Sequence, residues 1–127
     1  MATATYKLLL FLKRRPGMSM QEFRDYYENV HSKIGEKYSD GVLRYVRRYL
    51  QPLPDPHTGK PEEMEYDVVT ELWFEDRSVF ERVAALLSSG VMHPDVVEDE
   101  KRLFDRPKMR YAAVVECDSD LSRRAKQ

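Results

Sequence analysis

Cysteine is almost absent from this sequence: Cys117 is the only one, so no disulfide can form within the chain. A chain without disulfides is typical of a reducing compartment. Long hydrophobic runs are missing too. The apolar run from Leu8 to Leu12 is too short for a signal peptide or for the roughly 20 residues of a membrane-spanning helix. We therefore expect a cytoplasmic protein without a membrane segment.

The sequence also has no excess of one charge. It contains 21 Lys and Arg against 22 Asp and Glu, a net charge of -1, which creates no general attraction to nucleic acid or acidic membranes. The three histidines and Cys117 lack the spacing of metal ligands, and glycine-rich phosphate or dinucleotide motifs are missing. We predict no nucleic-acid partner, no metal and no cofactor.

The hydrophobic pattern predicts a single α+β domain over residues 1–127, with a core at about 6–116 and a flexible tail at 117–127. The order of elements is β-α-β-β-α-β with an extra short helix before the last strand, which is the ferredoxin-like arrangement with a four-stranded antiparallel sheet. The strands are expected at 6–13, 43–51, 66–75 and 109–116, and the short helix at 94–104.

Two long helices carry recognisable end signals. Ser19 and Glu22 fit a capping box at the start of the first helix. Asp76 or Ser78 is expected to cap the second, which Gly90 ends. The first helix is amphipathic, and its inward stripe is predicted to contain Phe23, Tyr26, Tyr27, Val30 and Ile34.

Two helices can cover only one face of this sheet. Four apolar side chains would lie on the other face: Leu9, Phe11, Val69 and Trp73. Such a patch is rarely left in water, and burying it at about 25 cal/mol per Å² favours association. A self-complementary sheet face suits a two-fold dimer. We therefore predict a homodimer through the sheet face, with the long proline loop at residues 52–61 as the alternative cover.

Two sheets packed in this way would enclose a barrel-like chamber. An apolar chamber with a few convergent polar groups is typical of a small-molecule site, so a small hydrophobic or aromatic ligand is expected there. With the strand parity assumed, the polar side chains that point into it are Lys13, Tyr45, Arg47, Tyr49 and Glu71.

The sequence resembles the EthD family, named for ethyl tert-butyl ether degradation. The resemblance runs from Tyr6 to Glu116, and it depends on the order and spacing of several short pieces rather than on one of them. These pieces are residues 7–19 (KLLLFLKRRPGMS), residues 22–27 (EFRDYY) with His31, residues 47–49 (RRY), residues 71–74 (ELWF), and residues 99–100 with 103–105.

The resemblance implies a dimeric α+β barrel and much less about activity. The founding member of the family is associated with oxidative ether degradation, and other relatives resemble cofactor-free polyketide cyclases, dehydratases, decarboxylases and muconolactone isomerases. Two positions depart from the family pattern. Ser32-Lys33 follows His31 where His-x-Pro is common, and Leu103 stands where Phe is common.

His31 is the leading catalytic candidate. The ordinary pKa of histidine, near 6.5, suits proton transfer at neutral pH, and the resemblance strengthens this reading. The alternative is a histidine that binds a loop carbonyl near the end of its helix, where positive charge is favoured.

Glu71 is the second catalytic candidate, because a carboxylate beside Trp73 on a buried face would have a raised pKa. Its alternative is a salt bridge to Lys13 or Arg47. The predicted substrate-binding residues, whose alternative role is ordinary packing or a salt bridge, are Phe11, Lys13, Tyr27, Tyr49 and Trp73.

Three functions are compatible with these residues. The first is a cofactor-free enzyme in which His31 moves a proton next to a carbonyl, for cyclisation, isomerisation, dehydration or decarboxylation, while Tyr27, Tyr49 or Lys13 steadies the oxyanion. The second is a non-catalytic accessory or binding protein of an oxidative ether-degradation pathway. The third is a structural dimer with a filled core.

Overall fold

A computed structural model describes residues 5–122, so part of the predicted flexible tail, residues 123–127, lies outside the described residues. The strands are β1 (Tyr6–Leu12), β2 (Val42–Tyr49), β3 (Val68–Phe74) and β4 (Arg110–Ala113). The helices are α1 (Met20–Tyr26), a π-helical turn (Tyr27–His31), α2 (Ser32–Glu36), α3 (Arg77–Ser89), α4 (Pro94–Leu103) and a 3-10 turn (Arg106–Lys108).

The four strands form one antiparallel sheet in the order β2-β3-β1-β4. β1 lies between β3 and β4, and its apolar side chains of both parities place leucine on both faces of the sheet. The predicted α+β, ferredoxin-like fold is confirmed.

The predicted helix ends are confirmed as well. The Ser19 side chain accepts a hydrogen bond from the Glu22 amide at 3.1 Å, and Glu22 accepts one from the Ser19 amide at 3.0 Å, which completes the capping box. Asp76 caps α3, and Gly90 ends it with φ of 73°, a left-handed conformation that costs glycine little.

The first helix differs from a regular α-helix at Tyr27–His31. There the Ser32 amide donates to the Tyr27 carbonyl, five residues back, so the turn is wider and takes in an extra residue. This shift leaves Val30 39% exposed, whereas His31 is only 6% exposed. The prediction that Val30 faces inward is therefore wrong, and His31 takes the inward position.

Two apolar clusters lie between the sheet and the helices. The first joins β1, α1, β3 and α4, and its aromatic members Phe23, Tyr27 and Phe104 meet edge to face. The second lies under α3 and contains Leu8, Phe74 and Leu87. Both clusters occupy the same face of the sheet.

The parity assumed for β2 is wrong. Val42 pairs with Phe74 and Arg44 with Trp73, so a bulge at Leu43 inserts one residue into the strand. One inserted residue moves every later side chain to the other face. As a result, the side chains that were expected on the open face point to the helix-covered face instead: Tyr45, Arg47 and Tyr49.

The sheet face away from the helices carries Leu9, Phe11, Val69 and Trp73, all partly exposed. The proline loop does not bury its own apolar side chains on this face, because Leu53 is 83% exposed. We call this surface the open face. None of the helices described here is long and apolar enough to cross a membrane.

Candidate active site

A cavity of about 100 Å³ lies inside the domain, between the sheet and its own helices. Its walls are mainly aliphatic and aromatic side chains from β1, β3, α3 and α4. This makeup is typical of a small-molecule site. The titratable and hydroxyl side chains that line it are Tyr27, His31, Tyr38, Ser39, Tyr45 and Glu100.

His31 joins this cavity to a buried carboxylate. Its Nδ1 lies 2.8 Å from Oδ2 of Asp99, which is only 2% exposed. Since a carboxylate accepts hydrogen bonds, Nδ1 carries the hydrogen and Nε2 holds the free lone pair. No hydrogen bond to Nε2 is observed among residues 5–122. The orientation of the ring is therefore set by Asp99.

Asp99 makes a second hydrogen bond in addition to its bond with His31. The Tyr26 hydroxyl donates a hydrogen bond to Oδ1, the carboxylate oxygen that does not bind His31. On α4, Asp99 shares the buried stripe with Val96 and Leu103, at the helical spacing of three and four residues. A carboxylate on such a stripe must be paired, and here its partners come from the first helix.

Aromatic rings fix the plane of the His31 imidazole. Tyr27 and Phe104 meet it edge to face, at centroid distances of 5.4 and 5.2 Å. Burial lowers the pKa of His31, and the hydrogen bond and charge of Asp99 offset this effect only in part. His31 is thus neutral at neutral pH and able to accept a proton.

Two tyrosine hydroxyl groups lie at the cavity wall, those of Tyr27 and Tyr45. The oxygens of Tyr27 and Thr70 lie 2.7 Å apart in the buried interior. Burial raises the pKa of both tyrosines, so they stay protonated. The protonated Tyr45 hydroxyl can donate a hydrogen bond to a ligand oxygen.

Glu100 brings a second carboxyl group to the cavity wall. Its side chain is 13% exposed, and its nearest cation is Arg106, with the guanidinium nitrogen 3.6 Å from the carboxyl oxygen. Burial raises the pKa of Glu100, and the charge of Arg106 opposes this. A neutral imidazole and a partly desolvated carboxyl group therefore share one apolar space.

Of the predicted site residues, His31 and Tyr27 line the cavity. Tyr49 lies next to it: its ring meets that of Tyr27 at 6.2 Å, but its hydroxyl donates to Glu28. Glu28 in turn binds the Arg47 guanidinium through both carboxylate oxygens, at 2.7 and 2.9 Å.

Lys13 is buried at the end of β1 and does not line the cavity. Its ammonium group donates to the Glu63 carboxylate and to the Met64 carbonyl, both at 2.9 Å, and lies 3.4 Å from Asp67. These contacts make Lys13 an anchor for the end of the proline loop. Lys13 is therefore not positioned to bind a substrate or stabilise an oxyanion beside His31.

Glu71, Phe11 and Trp73 lie on the open face, so the sheet separates them from His31. The prediction that they share a chamber with His31 is wrong. Glu71 binds Arg48 and the Trp73 indole. Partial burial raises the pKa of Glu71, but these hydrogen bonds lower it by more, so the net shift is downward. The expected rise is also wrong.

Sequence reasoning missed Asp99, Tyr26 and Glu100 as site residues, and it assigned Tyr45 to the wrong face of the sheet. One signal was available. Val96, Asp99 and Leu103 follow helical spacing, so a carboxylate interrupts an otherwise apolar stripe of α4. The partner of that carboxylate, His31, lies 68 residues away in the chain, so a local sequence pattern cannot identify it. In the part of the chain that is described, no three His, Cys, Asp or Glu side chains are grouped to hold a metal ion.

The fold and the cavity define a ferredoxin-like α+β domain with a mainly apolar cavity between its sheet and helices. The profile of the EthD domain matches residues 15–107, and the chain belongs to the EthD family. No curated protein matches the sequence significantly.

Solved structures share the fold at low sequence identity. An EthD family protein from Bacillus halodurans superposes with a TM-score of 0.57 at 14% identity, covering 90% of this chain and 100% of its own. A protein from Arabidopsis thaliana gives 0.55 at 15% identity, covering 91% and 99%. An EthD-like protein from Ralstonia eutropha gives 0.53 at 14% identity, covering 99% and 100%.

Proposed function

We propose that this EthD protein is a small cofactor-free enzyme of aromatic, polyketide or xenobiotic metabolism that moves a proton on a hydrophobic substrate in the internal cavity. The observation that carries the proposal is the His31–Asp99 hydrogen bond, which leaves Nε2 unbonded at an apolar cavity. Tyr26 and Asp99 would orient the ring, and His31 would be the base.

The proposed step is removal of a proton from a carbon next to a carbonyl group. His31 Nε2 takes the proton, the C–H electron pair moves into a carbon–carbon double bond, and the carbonyl oxygen becomes an enolate oxygen. The Tyr45 hydroxyl would donate a hydrogen bond to that oxygen as its charge develops. Return of the proton to another carbon gives isomerisation, and attack of the enolate on a second carbonyl gives cyclisation.

Hydrogen–deuterium exchange tests this step without knowledge of the natural substrate. Phenylacetone and cyclohexanone carry exchangeable hydrogens next to a carbonyl, and NMR in D2O follows their loss. The wild-type protein should accelerate exchange, and His31→Gln should lower the rate by about 10²-fold or more. The matched control is His57→Gln, in the exposed proline loop. Exchange no faster than with free imidazole, or undiminished in His31→Gln, would count against the proposal.

An accessory binding role is the second candidate. The mainly apolar lining of the cavity favours it, because such walls would hold a hydrophobic product of an oxidative pathway whether or not His31 takes part. Binding of the ketone probes without exchange would favour this function.

We also propose that the protein forms a homodimer through the open face. The support is the apolar surface of β1 and β3 that the domain itself leaves partly exposed. In this arrangement the two sheets pack face to face, and each protomer keeps its own His31 cavity on the helix side.

A further inference from the structure

A groove of about 640 Å³ lies outside the His31 cavity, between the end of α2, α3 and the start of α4. Tyr38, Val83 and Met92 line both the groove and the cavity. These three side chains are therefore the partition between the two spaces. Met92 is unbranched and adaptable, so a small movement of its side chain would connect them.

The wall of the partition has a defined geometry. The rings of Tyr38 and His93 stack with centroids 3.6 Å apart and planes 13° from parallel. The Tyr38 hydroxyl donates to Asp95 at 2.7 Å. These contacts hold Tyr38 in place at the partition between the groove and the cavity. Met92 is the part of the partition that can adapt.

The groove and the cavity differ in charge. Lys37 and Arg82 bring two cationic side chains to the groove, and Asp40 brings one carboxylate. Asp95 does not line the groove; it accepts a hydrogen bond from the Tyr38 hydroxyl, and the charge of Lys37 also lowers its pKa. The cavity, in contrast, is lined mainly by apolar groups. The two spaces together suit a molecule with an apolar end and an anionic end.

Accordingly, we propose that the ligand of this site has two parts: an apolar head that occupies the cavity beside His31, and an anionic tail that lies in the groove against Lys37 and Arg82. This inference rests on the proposed function, since it assigns the substrate class of the same site. The cavity is somewhat smaller than the roughly 150 Å³ that admits a benzene ring, so a ring-sized head requires Met92 to move aside.

Two probes of equal length test the charge of the tail. 4-Phenylbutyrate carries a carboxylate, and 4-phenylbutan-1-ol carries a neutral hydroxyl in its place. Calorimetry at low salt should show that the wild-type protein binds the carboxylate about three- to tenfold more tightly, as expected for two partly exposed charge pairs. High salt should reduce this preference.

Variants of the groove residues test whether the tighter binding of the carboxylate depends on the groove. Lys37→Gln combined with Arg82→Gln should abolish the preference while leaving the affinity for the alcohol unchanged. The matched control is Lys33→Gln combined with Arg77→Gln, which removes two exposed cations of the same helices outside the groove and should keep the preference. Equal wild-type affinity for the two probes, failure of both to bind, or the same loss in the control would overturn the proposal.

The two proposals fail in different ways. His31→Gln should still bind both probes with the wild-type preference while it loses ketone exchange. Ketone exchange that depends on His31, together with no preference for the carboxylate, would remove the two-part ligand and leave proton transfer intact. A preference for the carboxylate that depends on Lys37 and Arg82, without any ketone exchange, would remove the proton-transfer proposal and leave the two-part ligand intact.

Discussion

The Nδ1 atom of His31 lies 2.8 Å from Oδ2 of Asp99, although 68 positions separate the two residues in the chain. The contact joins the π-helical turn to α4, and the other imidazole nitrogen makes no hydrogen bond among residues 5–122. It fixes the orientation of a histidine near a helix end that burial keeps neutral.

Removal of the Asp99 carboxylate should destabilise the protein. Asp99→Ala would leave the buried His31 N–H without a partner and remove the acceptor of the partly exposed Tyr26 hydroxyl, at a cost of about 1–3 kcal/mol in the free energy of unfolding. Urea denaturation measures this change. Arg102→Gln is the control, since Arg102 is mostly exposed and lies 3.6 Å from Asp99. Its effect should stay below about 0.5 kcal/mol, and equal effects of the two variants would contradict the assigned role of Asp99.

Stability should fall in mildly acidic solution because of His31. Burial lowers its pKa in the folded state, so the unfolded chain binds a proton at a higher pH than the folded protein does. The free energy of unfolding should therefore decrease as the pH falls below about 6.5, the ordinary histidine value, toward the folded pKa. His31→Gln should flatten this part of the profile, measured by urea denaturation between pH 5 and 8. An unchanged slope in this variant, compared with His57→Gln, would argue against a depressed pKa.

The π-helical turn predicts which side chains of the first helix matter for packing. Phe23→Ala should cost about 3–5 kcal/mol, because Phe23 is fully buried among Tyr27, Tyr49 and Phe104. Val30→Ala should cost about 0.5 kcal/mol or less, because Val30 is 39% exposed. Thermal or urea unfolding distinguishes the two. A core-sized loss for Val30→Ala would indicate a regular α-helix with Val30 facing inward.

The open face predicts how the protein assembles. Wild-type protein should sediment as a dimer at micromolar concentration, and Leu9→Glu should sediment as a monomer, because it would bring a second carboxylate beside its cross-strand neighbour Glu71 into the interface. Leu53→Glu places the same charge on a loop residue that is 83% exposed and should leave the dimer intact. A wild-type monomer would contradict the proposed homodimer.

Local chemistry made much of the fold predictable. The capping box at Ser19 and Glu22, the cap at Asp76 and the stop at Gly90 are short-range signals, and each lies where the sequence placed it. The order of elements followed from hydrophobic periodicity. The last strand is shorter than the predicted 109–116, since it runs from Arg110 to Ala113.

Two single-residue irregularities limited the prediction of the site. The bulge at Leu43 reversed the parity of β2 and moved Tyr45, Arg47 and Tyr49 from the open face to the helix side. The π-helical turn exchanged Val30 for His31 on the inward face. Each inserts one residue into a periodic pattern, and neither has a strong local sequence signal.

The sequence alone determined the strands, the capped helices and the ferredoxin-like order, because these depend on neighbours within a few positions. It also identified His31 as the leading candidate residue. Only the tertiary structure decided where the site lies. It brought Asp99 to His31, put Tyr45 and Glu100 at the same cavity, and placed the sheet between His31 and the predicted partners Glu71 and Trp73. The physical reason is that a side chain's partners depend on strand register and helix rotation, and one inserted residue changes both.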